Sequence, residues 1–169
     1  MQFHLNGFHT GNPEENNSKK SIRNPPKMRN LAEKADVLIV GCGPAGLTLA
    51  AQLSKFPDIK TIIVEQKEDK LLLGQADGVA CRTMEMFEAF GFSDKVLKEG
   101  YWVNETVFWK PDDKNPKNII RSSKIQDTED GLSEFPHMVL NQARVHDFYL
   151  DLMKNSPTML EPDYSRRLV

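Results

Sequence analysis

Three glycines, Gly41, Gly43 and Gly46, stand in GxGxxG spacing within Gly41-Cys42-Gly43-Pro44-Ala45-Gly46, and a carboxylate, Glu65, follows 19 residues after the last of them. These residue types at this spacing suit a dinucleotide. Gly41 permits a tight turn, Gly43 lets backbone approach a pyrophosphate, and Gly46 lets a following helix lie close to a preceding strand. Glu65 is placed to accept hydrogen bonds from a ribose diol, and its charge would repel a 2′-phosphate, which argues against NADP in this site. A purely structural βαβ turn is the plain alternative, and the acid at the expected distance weighs against it.

The elements that must hold these residues are legible around them. Val37-Leu38-Ile39-Val40 is too short and too β-branched for a helix and reads as a buried parallel strand. A helix from Leu47 to about Lys55 should aim its N-terminal N–H groups at phosphate. Thr61-Ile62-Ile63-Val64 reads as a second strand that delivers Glu65. The fold class expected is α/β, a Rossmann-like βαβ with a parallel sheet.

Composition excludes several classes. The chain has 169 residues with 22 basic and 24 acidic side chains, so nothing in its charge favours nucleic acid or an anionic membrane. Its apolar runs are far shorter than a bilayer span. Cys42 and Cys81 are too few for a disulfide framework and read as reduced, which fits a cytoplasmic protein. The four histidines, His4, His9, His137 and His146, form no local ligand cluster, so no metal is expected.

Residues 1–34 are polar and punctuated by Asn-Gly and Asn-Pro-Pro, and they read as a flexible arm ahead of a domain over 35–169. Glu65 to Gly78 is a long polar loop of the kind that is usually functional or disordered. Arg82 to Phe90 reads as an amphipathic helix with Met84, Phe87 and Phe90 on one face, stopped by Gly91. Ser93 is expected to cap a short helix, Asp94 to Glu99. Val107 to Trp109 and Ile119 to Arg121 pair as a hairpin, and Asp127 to Gly131 is an acidic surface loop. His137 to Leu140 makes a short strand, and Asn141 caps a helix from Gln142 to Lys154 with Val145, Phe148, Tyr149 and Leu152 as its core stripe. Tyr164 to Val169 reads as the start of a further apolar strand.

Taken together, GCGPAGLTLAAQL, VEQK, LGQADGVACRTMEMFEAFGF, EDGLSEFPH and LNQARVHDFYL resemble the FAD-dependent aromatic hydroxylases that act on phenol or hydroxybenzoate. The chain looks like about the N-terminal quarter of such an enzyme, with the start of a mixed α+β substrate domain, and so truncated. The resemblance implies FAD as cofactor, NADPH as co-substrate, and hydroxylation of a phenol by O₂ through a flavin C4a-hydroperoxide. It implies that Gly41, Gly43, Pro44, Ala45 and Gly46 hold the pyrophosphate, with Glu65, Gln66 and Lys67 at the adenosine ribose. The loop Gly74-Gln75-Ala76-Asp77-Gly78, with Val79, would reach the flavin ring, and Arg82 and Gln142 would contact FAD. Asp77 would accept the substrate hydroxyl, and His137 would line the substrate pocket. A homo-oligomer is expected of the full-length family members. Two other classes remain at this point: an NAD-dependent Rossmann oxidoreductase and a non-catalytic nucleotide-binding module.

Overall fold

The computed structural model describes residues 30–169 and two short strands, β1 (Phe3–His4) and β2 (Gly7–Phe8), which pair antiparallel. Of the expected flexible arm, residues 30–34 are described and exposed, and apart from β1 and β2 the part up to residue 29 lies outside the described residues. The chain forms two compact units, one of Asp77–Leu140 and one of the residues up to Ala76 together with Asn141–Val169.

In the discontinuous unit, β3 (Val37–Val40) and β4 (Thr61–Val64) pair in parallel, Val37 opposite Thr61 and Val40 opposite Val64. Helix α1 (Pro44–Leu53) makes the crossover. It begins three residues before the expected Leu47, because Pro44 occupies its first turn with a backbone angle already set for a helix. Leu47, Ala50 and Ala51 are buried on its inner face. The expectation that β3 is buried is corrected: Ile39 is buried, but Leu38 and Val40 are 53% and 52% exposed. A parallel strand is enclosed only when both sheet faces are covered, and here one face remains open.

The last helix of the chain, α4 (Gln142–Lys154), starts where expected, with the Asn141 side chain accepting the Ala143 N–H at 2.9 Å. It packs on α1, and the Tyr149 and Thr48 hydroxyls meet at 2.8 Å. Val145, Phe148 and Tyr149 are buried as expected, whereas the stripe continues through Met153 rather than Leu152. Tyr164 to Val169 is not a strand. One parallel bridge joins Asp163 to Val64, and the segment then follows the end of β4, with Ser165 N–H donating to Lys67 and Arg166 N–H to Glu65, both at 2.8 Å.

The Asp77–Leu140 unit holds a small sheet in the order β5 (Gly78–Val79), β9 (Met138–Val139), β6 (Tyr101–Trp102). Helix α2 (Cys81–Phe90) buries Met84 and Phe87 and ends at Gly91, whose φ of 80° is a left-handed cap. Helix α3 (Ser93–Glu99) starts one residue earlier than expected, and Ser93 is not its cap. The Ser93 hydroxyl instead donates to the Glu88 carboxylate. The hairpin of β7 (Glu105–Pro111) and β8 (Ile119–Gln126) is longer than expected and carries Trp109 and Ile119 at 63% and 72% exposure.

Candidate functional site

The glycine turn is built as its spacing requires. Gly41 has φ of 102°, a conformation that glycine alone adopts at no cost. A Cβ on Gly46 would lie 2.1 Å from the Gly41 carbonyl oxygen, so any side chain there would drive α1 away from the strand. Gly43 is different. Its φ is −72°, and a Cβ would meet nothing within 4 Å. Neither backbone strain nor protein packing requires a glycine at that position, which leaves close approach by a ligand as the physical reason for it. Gly43 also caps α1 without any side-chain hydrogen bond, so the first N–H groups of the helix remain available to an anion.

Glu65 stands at the end of β4. Its Oε2 accepts the Cys42 N–H at 2.8 Å and its Oε1 the Lys67 N–H at 3.0 Å. Burial pushes its pKa up, but the N–H groups of Cys42, Lys67 and Gln66 and the Lys67 charge outweigh burial, and the carboxyl lies below its ordinary range. Each ionised oxygen keeps a further lone pair for a ribose hydroxyl. The Cys42 thiol is pushed up to about 12 by burial and by Glu65, so it is a protonated packing group.

A cavity of about 250 Å³ opens here. Gly43, Pro44, Glu65, Lys67, Gln75 and Gln142 line it, together with Cys42, Asp69, Leu71, His146 and Tyr164. It is below the roughly 300–1,000 Å³ of a typical small-molecule pocket and suits one part of a dinucleotide. The 65–77 loop is fixed to α4 on this side. Gln142 Oε1 accepts the Gln75 N–H at 2.9 Å, and Ala76 accepts the Gln142 N–H at 3.2 Å. A Cβ on Gly74 would come within 2.6 Å of the Gln142 Cβ, so glycine is what lets the loop lie against the helix. Lys70, from the same loop, forms a buried ion pair with Asp147 of α4 at 2.8 Å.

Of the other residues expected to contact the cofactor, Gly41, Ala45 and Gly46 build the turn and Gln66 and Gly74 the loop, without lining the cavity. Asp77, Gly78, Val79, Arg82 and His137 belong to the second unit. Arg82 is on α2, its side chain 90% exposed and 3.5 Å from Glu85. Asp77 is exposed, and its carbonyl accepts the Leu140 N–H at 2.8 Å. The His137 Nδ1 lies 2.8 Å from the Asp127 Oδ2, so the acidic loop is a partner to the imidazole as well as solvated surface. The His137 Nε2 is 3.4 Å from where a Gly78 Cβ would stand, and the glycine leaves that side of the ring open.

Sequence reasoning missed His146 and Tyr164. Both line the cavity, and the His146 Nε2 and Tyr164 hydroxyl are buried without a hydrogen-bond partner among the described residues. Burial, with help from Lys70 and Lys67, lowers the His146 pKa to about 4, so the imidazole is neutral. Burial also raises the Tyr164 phenol, which stays protonated. The sequence signal available for His146 was its i, i+4 relation to Gln142. Among the described residues no group of His, Cys, Asp and Glu could hold a metal ion, and no helix is long and apolar enough to cross a membrane.

Comparison with known proteins agrees with this geometry. The FAD binding domain family matches residues 34–159. The chain is 63% identical over 169 residues to the 3-hydroxybenzoate 4-monooxygenase of Comamonas testosteroni, covering 100% of this chain and 26% of that protein. It is 30% identical over 119 residues to a phenol 2-monooxygenase of Aspergillus fumigatus, covering 70% of this chain and 20% of the relative. The chain thus matches 26% and 20% of the length of these relatives. Among solved structures, p-nitrophenol 4-monooxygenase from Pseudomonas putida superposes with a TM-score of 0.64 at 20% identity, over 78% of this chain and 32% of that one. The flavin-dependent monooxygenase PieE, solved with FAD and substrate, gives 0.61 at 21% identity, over 78% and 24%. At such identities the two structures bear on the fold alone. With the family match covering most of the chain and the glycine turn, acid and cavity in place, this chain belongs to the FAD binding domain family found in the flavin-dependent aromatic monooxygenases.

Proposed function

We propose that this chain is the FAD-binding part of an aromatic hydroxylase that acts on a phenol of the 3-hydroxybenzoate type, with NADPH as electron donor and O₂ as oxidant. The observation that carries the reading is Gly43: a glycine that protein geometry does not require, at the N-terminus of α1 and in the wall of the cavity. The identity to the Comamonas enzyme supports the substrate class. Gly41 and Gly43 to Gly46 would bring backbone to the pyrophosphate, Glu65 would take the adenosine ribose with Gln66 and Lys67 beside it, and Gln142 would hold the 65–77 loop in position. By their resemblance to the family's FAD-contacting positions, Gly78, Val79 and Arg82 would also contact the cofactor. Reduced FAD supplies the means to activate O₂ for insertion into an aromatic ring.

The chain's own part in the chemistry is to prepare the phenol. Asp77 would accept the substrate hydroxyl proton or hydrogen bond and so enrich the ring in electrons. His137, held by the Asp127 carboxylate on its Nδ1, would offer its other ring nitrogen to the substrate carboxylate. The visible spectrum of the purified chain after incubation with FAD tests the cofactor reading. A retained yellow chromophore is expected. A colourless protein whose melting temperature rises with NAD and not with FAD would replace this reading with a nicotinamide-dependent one.

A further inference from the structure

His146 and Tyr164 raise a question that the glycine turn does not answer. Each is a polar side chain whose hydrogen-bonding atom is buried and unpartnered among the described residues, and each lines the same cavity. A buried donor or acceptor without a partner destabilises the fold, and a leucine at 146 or a phenylalanine at 164 would avoid that cost. Both are held in place by the fold. His146 is 5% exposed on α4, one turn after Gln142. Tyr164 is bracketed by backbone bonds to β4 and its extension: Asp163 N–H to Ile63 at 2.9 Å before it, and Ser165 N–H to Lys67 at 2.8 Å after it. Two elements far apart in sequence therefore each place a residue with an unsatisfied polar group in the wall of the cavity that Glu65 and Gly43 also line.

Resting on the FAD reading above, we propose that His146 and Tyr164 are nucleotide-contacting residues. Their imidazole nitrogen and phenol oxygen find their partners in the phosphate or ribose oxygens of the dinucleotide's adenosine half. The neutral imidazole can donate to a phosphate oxygen or accept from a ribose hydroxyl, and the protonated phenol can do the same. They complement the glycine turn, which offers backbone donors, with two side-chain groups from α4 and from the segment after Asp163.

Fluorescence titration of this chain with FAD, and with ADP as a probe of the adenosine half, separates the possibilities. Tyr164→Phe removes one oxygen and keeps the ring, so it should fold as the parent does and bind both ligands about tenfold more weakly. His146→Phe should weaken both similarly, and His146→Gln, which can still donate and accept at about the same reach, should recover part of the loss. If the parent binds FAD and the Tyr164→Phe and His146→Phe proteins bind FAD and ADP as tightly as the parent, the inference is overturned, and solvent completes these groups. If losses appear for FAD but not for ADP, the adenosine assignment is overturned. If the parent itself binds no FAD, the cofactor reading fails first and takes this inference with it.

Discussion

The carboxylate of Glu65 accepts the backbone N–H of Cys42 at 2.8 Å, tying the end of β4 to the middle of the glycine turn. The residue placed for a ribose is therefore also the brace that sets the turn's shape. Glu65→Gln keeps an acceptor for that N–H but loses the charge, and Glu65→Ala loses both. We expect FAD affinity to fall about tenfold in the first and further in the second, with only Glu65→Ala losing about 1–2 kcal/mol of stability. Equilibrium titration beside thermal unfolding checks both.

Gly43 and Gly46 make opposite predictions. Gly46→Ala places a Cβ 2.1 Å from a backbone oxygen, and about 2 kcal/mol or more of stability should be lost. Gly43→Ala meets no atom within 4 Å at an ordinary φ of −72°, so stability should change by only about 0.5 kcal/mol while FAD binding is impaired. Denaturant melts of the two proteins, with and without FAD, should show this crossing of effects.

Acid should loosen the nucleotide-binding unit through His146. Burial lowers its pKa to about 4 from an ordinary 6.5, so the unfolded chain binds more protons than the folded one between those values. Stability is fully present above about pH 6.5 and is lost as pH falls toward 4, by an amount on the order of 3 kcal/mol. Glu65, whose pKa is lowered, acts in the same direction at still lower pH. Melting temperatures from pH 7 to 4 should fall, and His146→Phe should flatten the upper part of that limb.

Lys70 and Asp147 form a buried ion pair at 2.8 Å, with side chains 13% and 4% exposed. Lys70→Met removes the cation of the pair and leaves the buried carboxylate with Arg144, 3.7 Å away, as a more distant charge. We expect a loss of about 2–4 kcal/mol and a protease-sensitive 65–77 loop. Limited proteolysis followed by mass spectrometry would locate the cut.

Two substitutions test the substrate roles in an active protein that contains this segment. Asp77→Asn should leave FAD bound, slow hydroxylation, and increase release of hydrogen peroxide relative to product. Unchanged coupling would remove Asp77 from that role. His137→Ala should weaken binding of a hydroxybenzoate more than that of unsubstituted phenol, and equal losses would make the imidazole structural.

The parts of the fold that sequence revealed are those decided locally. The β3-turn-α1-β4 unit follows from apolar runs, glycine spacing and one carboxylate, and the α4 start follows from Asn141. The α1 boundary moved because the backbone angle set by Pro44 outweighed the apolar pattern on which the expected start rested. Spacing offered only the i, i+4 relation of His146 to Gln142, and nothing for Tyr164. Their burial depends on α4 packing against α1 and on Asp163 bridging Val64, contacts between residues about a hundred positions apart. The open face of β3 was equally invisible, since an apolar run records what a strand would bury rather than what covers it.

One consequence concerns how such a chain can change over evolutionary time. The Asp77–Leu140 unit begins and ends at residues joined by a single backbone hydrogen bond, Leu140 N–H to Asp77 carbonyl at 2.8 Å. In the other unit, the residues flanking that excursion are also neighbours, with Gln142 N–H donating to Ala76. A segment whose two ends meet behaves as an exchangeable cassette: it can be lengthened, trimmed or replaced by a short turn without re-threading the nucleotide-binding scaffold. Changes of length and sequence can therefore accumulate in one stretch of the chain while the machinery around Gly43 and Glu65 stays as it is.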